Sequence, residues 1–324
     1  MSLNASSTEW LANGVNREIN MQEPKRWNTA QKAEYLMARC MAILPITWTS
    51  DIGAYLGYKE AQKSIKAKRL WIDRLRNNLE VLCEIKDSEE RERRLIEFIS
   101  RIGRIYAEFM VQQKIVKKNQ IEISGQDILD SIDKPVIIVS CHLSNWELIG
   151  HVAALLQRPC CDLYLPPDNP VREHLALEAR NQWPIPLELV PSSPSCMRQI
   201  SKALSNGSNA VLFIDEMRDG YVSAPSLGRN IAYAGNRWFA ARLAIKHELD
   251  ILPAYILPKG KGHYRAIVEP LIQPSTFEGS SEEKAKKIAD KLDEIINPWV
   301  LENLEHWYWL PYYDQQRAFL AVNK

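Results

Sequence analysis

The chain has 324 residues, of which 46% are hydrophobic and 25% charged, a composition typical of a globular protein with a sizeable core. Its 41 basic and 40 acidic residues give a formal net charge of +1, which argues against a dedicated nucleic-acid binder. The six cysteines follow no metal-ligand spacing, so we expect free thiols in a reducing compartment.

Residues 1–27 form a polar N-terminal segment without the apolar run of a signal peptide. The most apolar early run, 36–48, contains Arg39 and Pro45 and is shorter than the roughly 20 residues that a spanning helix needs. The sequence therefore predicts no helix that crosses a bilayer.

Residues 28–118 are predicted to form a helical layer, because apolar positions recur at helical spacing in RLWIDRLRNNLEVL and RRLIEFISRIGRIYAEFM. The segment KEAQKSIKAKRLWIDRLR (59–76) holds seven basic and two acidic residues around Trp71. A basic helix with an aromatic anchor, preceded by the largely apolar stretch 35–58, favours contact with an anionic membrane surface. Two alternatives stay open: a basic face exposed to solvent, or a surface that receives an acidic carrier protein.

Residues 119–324 are predicted to form an α/β core, and with the helical layer they make one domain, 28–324. Short apolar runs alternate with helical patterns, which indicates a mixed, largely parallel sheet flanked by helices. The expected strands are 135–140, 162–166, 187–190, 210–215, 251–257 and 264–272. The expected helices are 145–157, 170–182, 194–206, 235–248 and 281–305.

The segment KPVIIVSCHLSNWELIGHVAALLQ places His142 at the end of a buried strand, where ligands bind in open α/β sheets. Glu147 follows five residues later, near the start of a helix. A carboxylate that accepts from one ring nitrogen would fix the tautomer and leave the other nitrogen to take a proton from an alcohol. Cys141 should face away from His142, because consecutive strand residues point to opposite faces.

Other interpretations of this segment need no catalysis. Ser144 and Glu147 have the spacing of a capping box, and a histidine at a strand end is more often structural than catalytic. A metal site formed by His142, Glu147 and His151 matches no common ligand spacing, so no metal is expected.

Several motifs in register resemble one family. HLSNWE (142–147) resembles the HX4(D/E) motif of the glycerolipid acyltransferase superfamily, and NWEL is similar to the late acyltransferases of lipid A biosynthesis, the lauroyl and myristoyl transferases. The segments LYLPPDNP, AVLFIDE, SLGRNIAYAGNRWFAARLA and INPWVLENLEHWYWL resemble later motifs of that family in the same order. The resemblance covers roughly residues 30–312.

The resemblance implies an enzyme without a cofactor that moves a fatty acyl group from a thioester of acyl carrier protein or coenzyme A to a hydroxyl of a lipid acceptor. His142 would deprotonate the hydroxyl, Glu147 would orient His142, and transfer would be direct. It also implies a location in the cytoplasm, peripheral to the inner membrane. The residues that it assigns to substrate binding are Asn145, Asp168, Asn169, Asp215, Glu216, Arg218 and Arg237, the two arginines as candidates to grip phosphate.

Three positions depart from the family pattern. Leu165 stands where a basic residue is usual, Ser226-Leu227 replaces a paired aromatic, and LPYYDQQR replaces a basic C-terminal cluster. A lysophospholipid, an aminolipid or a soluble metabolite therefore stays open as the acceptor, as do a catalytically silent scaffold and a metallohydrolase.

Overall fold

A computed structural model describes residues 27–218 and 220–317. The polar N-terminal segment expected at residues 1–27 lies, apart from Trp27, outside the described residues. Within them the chain forms eleven α-helices and nine strands, which confirms the predicted α/β class.

Five helices precede the sheet, as the helical periodicity predicts. They are α1 (Thr29–Ile43), α2 (Ile46–Lys66), α3 (Leu70–Val81), α4 (Ser88–Phe109) and α5 (Gln112–Lys117). Local chemistry sets their starts: Asp87 accepts the backbone N–H of Glu90 at 2.7 Å to cap α4. Helices α2 and α4 cross closely at Gly53, Gly57 and Gly103, where an added Cβ would lie within 3 Å of the partner backbone.

The basic segment 59–76 is not one helix. Helix α2 ends at Lys66, Lys68 has a positive φ of 49°, and α3 begins at Leu70. Trp71 is half-buried and packs against the core, so it is not the exposed anchor that the sequence suggested. The exposed aromatic side chains lie earlier, on α2, where Trp48 and Tyr55 are 63% and 57% exposed.

The α/β part carries a seven-stranded sheet in the order β1-β9-β8-β2-β5-β3-β4. The strands are β1 (Ile121–Ser124), β2 (Ile137–Ser140), β3 (Cys160–Tyr164), β4 (Leu187–Pro191), β5 (Asn209–Phe213), β8 (Ile251–Gly260) and β9 (His263–Val268). Strands β8, β2, β5, β3 and β4 are parallel to their neighbours in this group, and β9 is antiparallel to β8. A separate hairpin pairs β6 (Glu216–Arg218) with β7 (Tyr221–Ala224).

Helices connect and cover these strands. They are α6 (Gln126–Asp130), α7 (Ile149–Leu155), α8 (Pro170–Arg180), α9 (Cys196–Ser205), α10 (Gly235–His247) and α11 (Ser281–Leu301). Short 3₁₀ turns cover Trp146–Leu148, Pro274–Thr276, Leu304–His306 and Leu310–Tyr312. The predicted helix 145–157 is thus a 3₁₀ turn followed by a short α-helix.

Successive residues of β2 point into two different cores, as the pleat of a strand requires. Ile137 and Val139 belong to a core shared with α2, α3, α4, α9, α10 and α11. Val136 and Ile138 belong to a second core on the other face, with α5, α6 and α7. The helical layer therefore shares a continuous core with the sheet.

Candidate active site

The strand register brings His142 beside Asp215. Strands β2 and β5 are parallel, and Ser140 of β2 lies opposite Phe213 of β5. His142 and Asp215 each come two residues after these partners, so both emerge side by side at the carboxyl edge of the sheet. The side chain of Asp215 is fully buried, while that of His142 is 20% exposed.

Asp215 accepts three N–H groups. Its Oδ1 lies 2.7 Å from Nδ1 of His142, and its Oδ2 accepts the backbone N–H of His142 at 2.7 Å. Oδ2 also accepts the indole N–H of Trp307 at 2.9 Å. A carboxylate with this many donors is held in one orientation, and it holds the imidazole in turn.

The neighbours of Nδ1 define the tautomer of His142. The indole nitrogen of Trp309 also approaches Nδ1, at 3.1 Å, but an indole can only donate. The shorter contact is to Asp215, which can only accept as a carboxylate, so Nδ1 carries the proton and Trp309 serves as a packing neighbour. Nε2 is then unprotonated, and it has no hydrogen-bond partner among the described residues.

Glu147 does not make the contact with His142 that the sequence suggested. It forms a two-point ion pair with Arg180 at the end of α8, with Nε to Oε2 at 3.0 Å and Nη2 to Oε1 at 2.6 Å. Both side chains are under 20% exposed. The physical reason is competition: Asp215 already occupies Nδ1, and a guanidinium offers Glu147 a charged, bidentate partner. The capping box is also absent, because Ser144 has a positive φ of 51° and the turn at Trp146 lacks a side-chain cap.

His142, Glu147, Asp215 and Glu216 line one cavity of about 400 Å³. Its mouth includes Leu165, which is 81% exposed. The rest of the lining is largely apolar. It includes Ile149, Gly150, Ala153, Cys160, Trp183, Ile185, Leu187 and Val211. The cavity thus combines a polar centre at His142 with an apolar pocket lined by α7 and by strands β3, β4 and β5.

Burial raises the pKa of two carboxyl groups that line the cavity. Burial raises the pKa of Asp162 to about 7, although the nearby Arg180 lowers it. Burial likewise raises the pKa of Glu216 to about 7, opposed by the backbone N–H of Asn236. For Arg180 burial opposes the charge, but the carboxylates of Glu147 and Asp162 outweigh it and raise the guanidinium pKa.

The C-terminal aromatic segment closes the site. Leu143 and Trp307 form an antiparallel bridge. The backbone N–H of Tyr308 donates to the carbonyl of His142 at 2.9 Å, and the backbone N–H of Ser144 donates to the carbonyl of His306 at 2.9 Å. The rings of Trp146, Phe213, Tyr308 and Trp309 lie within 6.3 Å of the imidazole, centroid to centroid. This packing shields the Asp215–His142 contact from water.

The other expected binding residues lie outside the lining of this cavity. Asn145 is fully buried beside the hydroxyl of Tyr264, and Asp168 is exposed. Asn169 caps α8, because its side-chain oxygen accepts the backbone N–H of Val171 at 2.9 Å.

The two arginines expected to grip phosphate differ from each other. Arg218 is exposed on β6. Arg237 is 3% exposed and donates to the carbonyl of Ala232 at 3.1 Å, with Asp293 3.6 Å away. It is therefore committed to internal partners, and the expectation of a free phosphate contact at Arg237 is corrected.

Cys141 lies where strand alternation predicts. It is fully buried in the core shared with the helical layer, and burial raises the pKa of its thiol well above the ordinary value. A thiol in such surroundings is a poor nucleophile. No group of three or more His, Cys, Asp or Glu in the described part of the chain is arranged to hold a metal ion.

Sequence reasoning missed four contributors. Arg180 looks like an ordinary basic residue in the last turn of a helix, and Asp162 looks like an ordinary strand residue. Trp307 and Trp309 are two of several aromatic residues in INPWVLENLEHWYWL. A signal for Trp307 existed, because buried indoles require an acceptor. Nothing in the sequence links Arg180 to Glu147.

The model of the bacterial lipid A biosynthesis acyltransferase family matches residues 16–312. The chain belongs to this family. It is therefore an acyltransferase that acts on lipid-like acceptors.

Among solved structures, the 1-acyl-sn-glycerophosphate acyltransferase PlsC from Thermotoga maritima resembles the chain at 14% identity. That comparison covers 86% of this chain and 99% of PlsC, with a TM-score of 0.36. No curated protein matches the sequence. No helix in residues 27–218 and 220–317 is both long and apolar enough to cross a membrane.

Proposed function

We propose that this acyltransferase moves a fatty acyl group from a carrier thioester to a hydroxyl of a lipid acceptor, with His142 as general base and Asp215 as its positioning partner. The observation that carries the proposal is the Nδ1 contact with Asp215, which leaves Nε2 of His142 unprotonated at the cavity. The sequence interpretation keeps its base but changes the partner from Glu147 to Asp215.

The chemistry follows from that tautomer. Nε2 takes the proton of the acceptor hydroxyl, and the buried carboxylate stabilises the imidazolium that forms. The acceptor oxygen attacks the thioester carbonyl, the C–O bond forms and the C–S bond breaks, and the imidazolium returns its proton to the leaving thiolate. The burial of Cys141 argues against a covalent acyl-enzyme, so transfer is direct.

The apolar end of the cavity suits the acyl chain. A hydrocarbon chain gains free energy by leaving water, at about 25 cal/mol per Å² of buried apolar surface. With the chain in this end, the thioester would lie near His142 and the carrier would remain outside the mouth at Leu165. Glu147 keeps a role in this site as the partner that holds Arg180, whose positive charge would favour the oxyanion of the transition state.

We also propose that the first two helices contact the surface of the inner membrane on its cytoplasmic side. Helix α1 exposes Leu36 and Ile43, and α2 exposes Trp48, Tyr55 and Leu56. An apolar patch with aromatic residues, next to exposed lysines late in α2, suits an anionic lipid surface. Helix α1 packs on α8, which begins just after the exposed Leu165 at the cavity mouth. A lipid acceptor could therefore reach the site from the bilayer.

The test is acyl transfer by the purified enzyme and its variant His142→Ala, with acyl carrier protein or coenzyme A thioesters as donors. Acceptor arms contain a lipid A precursor, a lysophospholipid, an aminolipid or a soluble alcohol, and mass spectrometry detects the acylated product. We expect transfer to a lipid acceptor and a loss of about 10²–10⁴ in the folded His142→Ala variant. Near-normal turnover by that variant would contradict the mechanism. Product only with the soluble alcohol would contradict the lipid acceptor.

A further inference from the structure

A second groove, of about 1170 Å³, lies between α9, α10 and the start of α11. Its apolar and aromatic lining residues include Met197, Trp238, Phe239, Leu243 and Ile245. Three cationic side chains, Arg198, Arg242 and Lys246, also line it and are exposed. The catalytic machinery described above uses none of these residues.

Most of the charged side chains that line this groove are cationic. Residues 189–214 and 220–247, which include α9 and α10, contain no aspartate or glutamate. The one carboxylate among the described lining residues is Glu282, which is paired with Lys286 at 2.8 Å. Arg198, Lys202, Arg242 and Lys246 form no ion pair within the described residues. Glu282 also interacts electrostatically with Arg242, but the three cationic side chains of the lining outnumber this one carboxylate. An exposed surface with such an excess of positive charge attracts acidic partners.

Residues that line the groove are close in sequence to residues that line the active-site cavity. Asn236, in the first turn of α10, lines the cavity, and Trp238, two residues later, lines the groove. Ser192 lines the cavity just before α9, and Met197 lines the groove within α9. Both helices therefore lead from the edge of the cavity into the groove.

The arrangement of the cations fits an elongated partner. Arg198 and Lys202 are one helical turn apart on α9, and Arg242 and Lys246 are one turn apart on α10. The ammonium group of Lys246 donates to Ser201 of α9 at 2.8 Å, so the two rows are adjacent. Two cationic rows beside a strip of apolar side chains complement an amphipathic helix with acidic flanks, a recurring mode of peptide recognition.

We propose that this groove is the docking surface for an acidic acyl carrier protein, the donor of the acyl group. The inference rests on the proposed function and deepens it, because it assigns a surface of this chain, beside the cavity, to the carrier. The sequence offered one basic segment, 59–76, for contact with either a membrane or a carrier protein. We instead assign lipid to the exposed apolar face of α1 and α2, and the carrier to the groove of α9 and α10.

The test uses the full-length double variant Arg198→Glu/Arg242→Glu and a matched control, Lys117→Glu/Lys118→Glu, which reverses two exposed cations at the end of α5. Binding of holo-carrier protein is measured by calorimetry without acyl transfer, and KM is measured separately for acyl-carrier and acyl-coenzyme A donors. At low ionic strength we expect the Kd and KM for the carrier to rise on the order of tenfold in the groove variant. The KM for acyl-coenzyme A, kcat and the control variant should be unchanged.

Each other outcome overturns the inference. Unchanged carrier affinity would mean that the carrier docks elsewhere, and a selective loss of acyl-coenzyme A would assign the groove to a nucleotide. A change of oligomeric state in the groove variant would assign it to a second copy of the chain. If the wild-type protein transfers no acyl group from either donor, the proposed function fails, while the calorimetry still tests docking.

Discussion

Asp215 fixes His142 through both its ring and its backbone, so the two residues should behave as one unit. Asp215→Asn replaces an acceptor with an amide that favours the wrong tautomer of the imidazole. We expect activity to fall by about 10²–10⁴, as for loss of a general base, with the fold retained. Steady-state kinetics and circular dichroism of the purified variant check this.

Glu147→Gln serves as the comparison for Asp215→Asn. The amide leaves the contact between Asp215 and His142 in place, so kcat should fall far less in Glu147→Gln than in Asp215→Asn. An equal loss of kcat in the two variants would restore Glu147 as the direct partner of His142.

The raised pKa of Asp162 predicts how stability depends on pH. The folded pKa of about 7 exceeds the ordinary 3.8, so the folded state binds more protons between these values. The free energy of unfolding therefore falls as the pH rises from about 4 to 7, and the loss is complete above that range. Asp162→Asn should remove this loss and stabilise the protein at pH 8 by an amount on the order of 1 kcal/mol or more.

Urea denaturation at pH 5 and pH 8 measures the effect. The difference between wild type and Asp162→Asn should be larger at pH 8. Burial also raises the pKa of Glu216 to about 7, which adds a loss of stability of the same sign, so Glu216→Gln is a second, independent test of the effect. Equal urea midpoints for wild type and both variants at pH 8 would show that ionisation of neither carboxyl destabilises the folded protein.

At the scale of the elements, the length of the apolar pocket depends on the segment between α8 and β4. Trp183 is 6% exposed and closes the pocket against α7, where a Cβ on Gly150 would meet the indole at 2.5 Å. Trp183→Ala should remove this wall and shift the preferred acyl donor towards longer chains. Competition among donors of different length, read by mass spectrometry, measures the shift.

The control for this change is Trp71→Ala, which removes an indole of α3 that packs on the core away from the cavity. We expect it to lower stability without changing chain-length preference. An unchanged preference in Trp183→Ala would place the acyl chain elsewhere.

The exposed faces of α1 and α2 predict reversible binding to anionic vesicles. Ile43→Ser/Trp48→Ser removes two side chains that are 79% and 63% exposed, so the fold should be unaffected. Sedimentation with vesicles should fall severalfold, because the lost surface is what enters the interface. Val81→Ser/Leu301→Ser, at two positions that are each 49% exposed on other helices, should bind as wild type. Equal loss in both variants would indicate nonspecific adhesion.

Much of the element pattern could be predicted from the sequence, because buried strands such as IIVS and NAVLF are mostly apolar and the long helices are amphipathic. Strand β1 was missed because its four residues include Glu122 and Ser124, which dilute the apolar signal. The hairpin of β6 and β7 was missed because its strands have three and four residues.

The site was predictable in position but not in its contacts. The end of β2 identified His142, and parallel strands placed Asp215 at the same edge, yet only the register shows that they are opposite each other. Glu147 was chosen as the partner because it is near in sequence. Its actual partner, Arg180, is 33 residues away and reaches it through the packing of α8.

For the whole molecule, we predict a single cooperative unfolding transition. Residues of the predicted layer 28–118, such as Leu75 and Leu95, lie in the same core as Val139 and Leu292 of the predicted α/β part 119–324. Neither part can keep its apolar surface buried without the other. Urea unfolding followed by tryptophan fluorescence and by far-ultraviolet circular dichroism should give coincident curves. Two separated transitions would make 28–118 and 119–324 independent domains.

The bridge between Leu143 and Trp307 means that the active site is completed by a segment near the end of the described chain. When synthesis has reached Leu301, every strand and α-helix described above has been made, but the indole of Trp307 that donates to Asp215 has not. The base becomes competent only when the aromatic segment follows and lies along residues 142–144. A nonsense codon or a protease cut between α11 and Trp307 should therefore yield a nearly complete protein with an idle histidine.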